Sequence, residues 1–121
     1  MTRPIPFDFV FDYLPGDIIV KPMFGMYSLY MGRRIVLILH KREKYAEHNG
    51  IWVAINDGHH TRLKNEIHSL IPILKEGDKS CAQKWLLLKD DWDDFEASAI
   101  KVCEYISKGD PGIGRMTKGD K

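Results

Sequence analysis

The stretch KPMFGMYSLYMGRR, from Lys21 to Arg34, places seven methionine, aromatic and leucine side chains within fourteen residues. It predicts one β-strand from about Val20 to Tyr30, because such side chains suit a pleated, buried surface. A hairpin turn at Met31-Gly32-Arg33 follows, since glycine takes a positive φ at little steric cost. Side chains alternate between the two faces of a strand, so both faces of this one would be apolar. One face must pack on helices, and the second is more apolar than a sheet face in water normally is.

The residues that follow predict the rest of a sheet. The run from Ile35 to Leu39 is continuously apolar, which is typical of a central strand covered on both faces. The segment GIWVAIND, residues 50–57, predicts a third strand that ends in a turn. The segments IPILKEG and KWLLLKD, residues 71–77 and 84–90, predict a further pair of strands.

Three segments carry helical patterns. In PFDFVFDYLPG, residues 6–16, alternation also allows a strand, but helical spacing of the apolar residues and a proline near each end favour a helix. Thr61 can cap a second helix that Pro72 ends. The last helix begins at Asp91, with acidic residues in its first turn, and stops at Gly109. The order α-β-β-β-α-β-β-α predicts an α+β fold, a single-sheet sandwich with helices mainly on one face.

Length and composition indicate one ordinary globular domain. The chain has 121 residues, 44% hydrophobic and 29% charged, and we expect one domain over residues 1–109 and a flexible C-terminal tail over residues 110–121. The net charge of +1 argues against a dedicated nucleic-acid binder. Cys81 and Cys103 lack metal-like spacing, which favours free thiols in a reducing compartment. Without a signal peptide or a long apolar run, we expect a cytoplasmic protein that does not span a membrane.

The segment VKPMFGMYSLYMGRRIVLIL, residues 20–39, resembles the N-terminal domain of the TfoX/Sxy family and the related YjbR-like proteins. The matching features are Met23-Phe24-Gly25, the hairpin residues Tyr27, Tyr30 and Gly32, and the strand from Ile35 to Leu39. The resemblance covers about residues 7–107 and implies a sandwich similar to type III secretion chaperones. Full-length TfoX-type regulators carry a second, helical domain with no counterpart in this sequence, so their role in competence is not implied. The resemblance supplies no catalytic residues.

The segment DGHHTRLKNEIH, residues 57–68, is the first candidate site. His59 and His60 lie at a predicted helix N-terminus, where backbone N–H groups and the helix dipole favour an anion. Zinc would need three or four converging ligands, but His60 and His68 are more than two helical turns apart. We favour a polar helix entry with solvent-facing imidazoles, with a small-anion site as the alternative and no metal.

Two charge clusters form the second candidate. Residues 33–44 carry a local charge of +4, which includes Arg33 and Arg34, whereas residues 90–96 carry five acids and no base. We favour solvated strand ends, followed by a patch for protein binding or self-association. Basic residues near Tyr27, Tyr30 and Tyr45 could also bind single-stranded nucleic acid by stacking and neutralisation, although the acidic cluster would repel phosphate.

No pattern in the sequence specifies a reaction. There is no nucleophile elbow, and GDPGIGR, residues 109–115, lacks the lysine and hydroxyl residue of a phosphate-binding loop. We therefore expect a non-catalytic binding or adaptor module without a cofactor or metal. It would use an exposed second sheet face or the hairpin rim from Met31 to Arg34. A homodimer through the second face would bury the surplus apolar side chains.

Two alternatives remain open. The first is a small-anion or nucleotide-ligand binder in which Arg33, Arg34, His59 and His60 surround one cleft. A single pocket that unites these four side chains would favour it. The second is a weak binder of single-stranded nucleic acid, whose affinity would fall steeply with salt.

Overall fold

A computed structural model describes residues 5–23, 25–43, 46–73 and 84–116. The strands are β1 (Ile19–Met23), β2 (Met26–Met31), β3 (Arg34–His40), β4 (Gly50–Ala54), β5 (Ile71–Pro72), β6 (Trp85–Lys89) and β7 (Arg115–Met116). The α-helices are α1 (His60–Glu66) and α2 (Phe95–Ser107), and two short 3₁₀ helices cover Asp8–Asp12 and Ala46–His48. This content confirms the predicted α+β class.

All seven strands belong to one antiparallel sheet, in the order β1-β2-β3-β4-β6-β5. β3 pairs with β2 along one edge, and β4 pairs with its last four residues, Leu37–His40, along the other. β7 takes the remaining place on that side, beside Arg34 and Ile35. The apolar run of β3 is therefore a central strand, as predicted.

The predicted single strand from Val20 to Tyr30 is wrong, because this stretch forms two strands. β1 and β2 make a hairpin in which Met23 pairs with Met26. Between them, Gly25 has a φ of 81°, in the left-handed region that glycine reaches without a steric cost. Alternation of apolar side chains continues through such a turn and so does not predict it. The Met-Phe-Gly motif marks this turn, and Phe24 itself lies outside the described residues.

The predicted turn at Met31-Gly32-Arg33, which is the second hairpin turn of this stretch, is confirmed. Met31 pairs with Arg34 across it. Gly32 has a φ of 63°, whereas Arg33 is not among the residues with positive φ. Glycine at the first of two central positions is the pattern of a type II′ turn, whose twist matches that of the flanking strands. The turn leaves Arg33 exposed and makes Arg34 the first residue of β3.

One face of the sheet packs on α2 and on the first 3₁₀ helix. α2 contributes the apolar stripe that its sequence predicts, together with one thiol. These buried residues are Phe95, Ala99, Val102, Cys103 and Ile106. They join a single core cluster with the inward side chains of β2, β3, β4 and β6. Burial of this stripe is what attaches the helix to the sheet.

A register shift in β3 adds a residue to this core. Leu29 pairs with Leu37, but Tyr30 pairs with Ile35, so Val36 has no partner on β2. Val36 and Leu37, although adjacent in sequence, both belong to the helix-side core. A β-bulge produces this result, because the extra residue re-aims the side chains that follow it.

The second face of the sheet is also buried. Ile38, Trp52 and Leu87 lie side by side on β3, β4 and β6, and each is at most 9% exposed. They form a second apolar cluster with Ile35, Ala54 and Ile73. The predicted apolar character is confirmed, but the expectation of an exposed face is wrong at its centre. The β1 edge of this face is open, because Ile19, which pairs with Tyr30 of the second cluster, is 49% exposed. A homodimer through this face stays a prediction.

All three helices differ from their predicted bounds. The first is a 3₁₀ helix over Asp8–Asp12. α1 begins at His60 after an N-cap at His59, so Thr61 lies within it, and α2 begins at Phe95 after an N-cap at Asp94, where Asp91 was predicted. α1 stops at Glu66, well before Pro72. The residue before a proline favours extended backbone, and an edge strand tolerates the missing N–H, so Ile71–Pro72 becomes β5. The rest of the predicted fifth strand lies outside the described residues.

The predicted flexible tail also differs from the structure over residues 110–116. Ile113 is buried, and the chain beyond it forms β7 against β3. Hydrogen bonds from Asn56 N to Gly112 O (2.8 Å) and from Gly114 N to Ala54 O (2.9 Å) fix the intervening backbone. We call residues 110–116 the C-terminal arm. Residues 117–121 lie outside the described residues.

Gly50 tests how closely β4 packs against β6. Its φ is 143°, and a Cβ at this position would lie 1.9 Å from the carbonyl oxygen of Leu88. We expect Gly50→Ala to lower the free energy of unfolding by at least about 3 kcal/mol, because backbone conformation and contact both oppose a side chain. Urea unfolding measures the change.

Gly16→Ala is the matched control. No atom beyond its chain neighbours lies within 4 Å of the position its Cβ would take. We expect this substitution to change the free energy of unfolding by less than about 0.5 kcal/mol. Equal urea midpoints for the two variants would contradict the close approach of β4 and β6.

Candidate functional site

β3 divides the basic stretch of the sequence into two separate surfaces. Arg33 and Arg34 lie at its start, and Lys41 and Arg42 follow its end. At about 3.3 Å per residue, a strand of seven residues places the two pairs more than 20 Å apart. The predicted local charge of +4 is therefore not one patch. We call the first surface the rim (Met31, Arg33, Arg34 and Met116) and the second the loop pocket (Lys41, Arg42, Glu43, Ala46 and Asn49).

The rim combines arginines with exposed methionine. Met31, Arg34 and Met116 lie side by side across β2, β3 and β7, and Met116 is 58% exposed. Arg34 is half-buried and makes no ion pair with any described residue. Its Nε is buried without a hydrogen bond. The rim therefore presents a cation whose hydrogen-bonding capacity is not fully used.

A small pocket of about 50 Å³ lies between the rim and the C-terminal end of α2. Its lining residues are Met31, Arg34, Val36, Ile106, Gly109, Asp110 and Ile113. Neither Arg33, His59 nor His60 lines it. The space suits a few water molecules or the end of one side chain, and does not suit a nucleotide.

His59 is engaged by a residue that the sequence did not single out. Nη2 of Arg62 lies 3.1 Å from Nδ1 of His59 and 2.7 Å from Oδ1 of Asp110. A guanidinium can only donate, so Nδ1 of His59 accepts. α1 has only seven residues, and Asp110 brings a negative charge to its start. This corner does not offer the anion site that the sequence suggested.

The Arg62–Asp110 pair holds the C-terminal arm to α1. Asp110 also accepts a hydrogen bond from Gly112 N at 2.7 Å. A Cβ on Gly112 would lie 2.5 Å from Nη2 of Arg62, so glycine makes room for the guanidinium. The hydrogen bond between the two side chains raises the pKa of Arg62 and is the main cause that lowers the pKa of Asp110. The two residues are 48 positions apart, and no sequence pattern predicts their contact.

The four residues of the predicted anion cleft are thus not united. The C-terminal arm passes between two of them, with Gly112 against His59 and Gly114 against Arg34. Arg33 is exposed at the hairpin turn, and His60 is half-buried in the first turn of α1. Of the four, Arg34 alone lines the small pocket beside the rim, and none of them lines the loop pocket. The geometry does not favour the first alternative.

The loop between β3 and β4 is organised by two buried polar side chains. His40 and Asn49 are 3% and 8% exposed. Oδ1 of Asn49 accepts from His40 Nδ1 at 3.0 Å and from Arg42 N at 2.8 Å, while Asn49 Nδ2 donates to Arg42 O at 3.0 Å. Asn49 therefore clamps the main chain of Arg42 on both sides. The signal in the sequence is a polar residue at the end of β3 and another directly before β4, and the sequence-based prediction did not use it.

The imidazole of His40, which is hydrogen-bonded to Asn49, is itself packed against an aromatic ring. The imidazole of His40 stacks on Trp52 with ring centroids 5.4 Å apart, and Trp52 Nε1 donates to His48 O at 3.0 Å. Burial is the largest influence on His40 and lowers its pKa. The charge of Arg42 acts in the same direction, against the hydrogen bond to Asn49. His40 is thus kept neutral in a packed, fixed position.

The loop pocket opens above this clamp and has a volume of about 320 Å³. Lys41 on its wall pairs with Asp90. Arg42 is half-buried and has no carboxylate partner among the residues described. Its Nε lies 3.3 Å from the position that a Cβ on Gly25 would take, so its side chain lies against the β1–β2 turn.

The described rings do not form a stacking surface for nucleic acid. Tyr27 packs against the helix-side core, whereas Tyr30 lies with the cluster on the opposite face. Lys21 Nζ lies 4.7 Å from the centroid of the Tyr30 ring, which gives this ring a cation–π partner already. Tyr45 lies outside the described residues. The geometry does not favour the second alternative.

The described residues offer neither an accessible thiol nor a group of potential metal ligands. Cys103 is fully buried, and burial raises the pKa of its thiol to about 12. Within residues 5–23, 25–43, 46–73 and 84–116, no group of three potential metal ligands is close enough to hold an ion. No helix in the described part of the chain is long and apolar enough to cross a membrane.

Comparison with protein-family models finds no matching family, and comparisons with curated proteins and with solved structures find no match either. Functional inference for this chain therefore depends on its own residues. The rim and the loop pocket each contain a half-buried arginine, Arg34 or Arg42, that has no carboxylate partner among the described residues.

His40 predicts a pH dependence of stability. Its pKa is lowered in the folded state, so below about pH 6.5 the unfolded chain binds a proton that the folded chain does not. We expect the free energy of unfolding to fall as the pH drops from about 6.5, by at most about 1.4 kcal/mol per pH unit. His40→Gln should reduce this slope, and the exposed His68→Gln should leave it unchanged. Urea unfolding at several pH values measures it, and equal slopes for both variants would contradict the assignment.

The Arg62–Asp110 pair predicts how the C-terminal arm is attached. We expect Asp110→Asn to speed hydrogen exchange at Gly112 and Gly114 more than elsewhere, because the arm loses its charged contact with α1. A double-mutant cycle with Arg62→Gln should give a coupling of about 1 kcal/mol, since the pair is only partly exposed. Glu66→Gln removes the other carboxylate partner of Arg62 and is the control. Unchanged exchange in Asp110→Asn would show that the arm is held by other contacts.

Proposed function

We propose that this protein is a small, cytoplasmic, non-catalytic binding module whose docking surface is the rim. The observation that carries the proposal is the state of Arg34. Its guanidinium is half-buried, its Nε makes no hydrogen bond, and no described carboxylate neutralises it. A buried N–H without a partner costs about 1–3 kcal/mol. A ligand offsets this cost only if the Arg34 side chain moves so that Nε becomes accessible to it.

The chemistry of the rim favours an acidic partner segment. Arg33 is exposed and precedes Arg34 in the sequence. A guanidinium group suits a carboxylate, which it binds through paired hydrogen bonds. Met31 and Met116 supply flexible apolar contact on the same surface. A segment in which acidic and apolar residues are mixed would satisfy both features.

The rim is preferred to the other surfaces for physical reasons. The centre of the second sheet face is buried, so the apolar area that this face exposes is limited to its edges, such as Ile19 on β1. Arg62 and Arg115 carry charge near the rim but are paired with Asp110 and Asp57. Electrostatic attraction at the rim therefore comes from Arg33 and Arg34.

We also propose that the fold belongs with TfoX N-terminal and YjbR-like domains and their secretion-chaperone-like sandwich. What supports this is the position of Met23-Phe24-Gly25 directly before a hairpin and a doubly buried strand. The resemblance implies a fold and supplies no catalytic residues for this chain. The family proposal is therefore consistent with a non-catalytic role for the rim.

The rim proposal is tested with a fluorescein-labelled peptide of glutamate and leucine residues, measured by fluorescence anisotropy with the full chain. We expect Arg33→Gln with Arg34→Gln to weaken binding at least about tenfold, because both unpaired cations are lost. Lys64→Gln with Lys89→Gln removes the same charge elsewhere and should change affinity by less than about twofold. A peptide with glutamine in place of glutamate should not bind.

Equal losses of peptide affinity in the two double variants would mean that binding depends only on the net charge of the protein, and the rim proposal would fail. Amide chemical shifts give an independent readout. Saturating peptide should perturb the residues around Met31 and Met116 and leave those around Asn49 unchanged. Perturbations confined to the Asn49 end would also sink the proposal.

A further inference from the structure

The loop pocket lies at the opposite end of β3 from the rim. The chain buries an imidazole and an amide, His40 and Asn49, at the point where a β-strand ends. Burying a polar group costs stability unless the group is fully hydrogen-bonded. Here both buried side chains form hydrogen bonds at one short loop. What this network holds in place is the main chain of Arg42.

The clamp on Arg42 acts on both of its backbone polar groups. Arg42 N donates to Asn49 Oδ1 at 2.8 Å, and Arg42 O accepts from Asn49 Nδ2 at 3.0 Å. The same Oδ1 accepts from His40 Nδ1, which prevents the amide from rotating. These hydrogen bonds fix the backbone of Arg42, and therefore the starting point of its side chain at Cα, relative to the sheet. A group held before its ligand arrives loses less entropy on binding.

The Arg42 side chain is positioned as well. Its Nε lies 3.3 Å and its Cδ 3.6 Å from the place of a Cβ on Gly25, whose φ is 81°. A residue with a side chain at position 25 would be strained, and Nε of Arg42 would have to shift by a few tenths of an ångström. Lys41, the neighbouring cation, is paired with Asp90. Arg42 is thus the cation of the loop pocket that has no carboxylate partner among the described residues.

We propose that the loop pocket binds a small oxyanion of the phosphate class through Arg42. A planar guanidinium matches the oxygens of a phosphate group with two parallel hydrogen bonds. The pocket, at about 320 Å³, has room for a phosphate group and a small substituent. Glu43 on the same wall repels a second anionic group, so the site takes a single phosphate and rejects polyphosphates. This site is independent of the rim.

The test is a titration of the ¹⁵N-labelled full chain with inorganic phosphate, followed at Arg42 Nε–H and at the Asn49 side-chain amide. We expect saturable shifts with a dissociation constant on the order of 1 mM, as one positioned guanidinium gives modest affinity. Arg42→Gln should abolish them, and Glu43→Gln should tighten binding several-fold. Methyl phosphate in place of phosphate tells whether the site accepts a phosphate ester or only the free ion. Pyrophosphate should bind more weakly than either.

Two variants separate this site from general effects of salt and folding. Arg33→Gln removes an exposed cation at the rim and should leave the titration unchanged. Gly25→Ala should weaken binding less than Arg42→Gln does, while the spectrum remains that of a folded protein, because Nε of Arg42 shifts by only a few tenths of an ångström. The proposal is overturned if the shifts survive in Arg42→Gln, if they grow linearly without saturation, or if they centre on Arg34. Tighter binding of pyrophosphate would overturn the role of Glu43.

Discussion

The structure depends on β3 being covered on both faces. Leu37 and Leu39 reach the helix-side core, and Ile38 reaches the second cluster. A strand buried in this way must be flanked by hydrogen-bonded strands along both edges, since a buried N–H or C=O without a partner is costly. β2 and β4 supply most of these bonds, and β7 pairs beside Arg34 and Ile35, whereas Val36 at the bulge pairs with none of these strands. The polar residues of the stretch can therefore lie only at its two ends, and this is why both candidate surfaces are there.

The sequence predicted the parts of the fold that follow from local periodicity. The continuous run from Ile35 to Leu39 indicated a central strand, and the stripe on α2 indicated its buried face. The turn at Gly25 was missed because Met23 and Met26 continue an apolar pattern that a long strand would also show. Pro22 offered a counter-signal, since proline is tolerated mainly on an edge strand, where β1 lies.

The functional surfaces were less predictable, because they depend on contacts between distant residues. Arg33, Arg34, Lys41 and Arg42 form one basic stretch in the sequence, and only the length of β3 separates them. His59 suggested a binding role, but Arg62 and Asp110 decide what its ring can do. Arg34 and Met31 do line one pocket, as members of the expected rim. Partner, ligand and oligomeric state have no counterpart in local periodicity.

The C-terminal arm has a consequence for how the molecule opens. Among the described residues, β7 consists of Arg115 and Met116, and Met116 is largely exposed, so little apolar burial in this part of the arm opposes its detachment beyond Ile113. The arm should open in a sub-global step, at a free energy well below that of cooperative unfolding. Such an opening would uncover backbone groups of Arg34 and Ile35 while the remaining strands stay paired. The native ensemble then includes a minor state in which the central strand has, at one end, the properties of an edge.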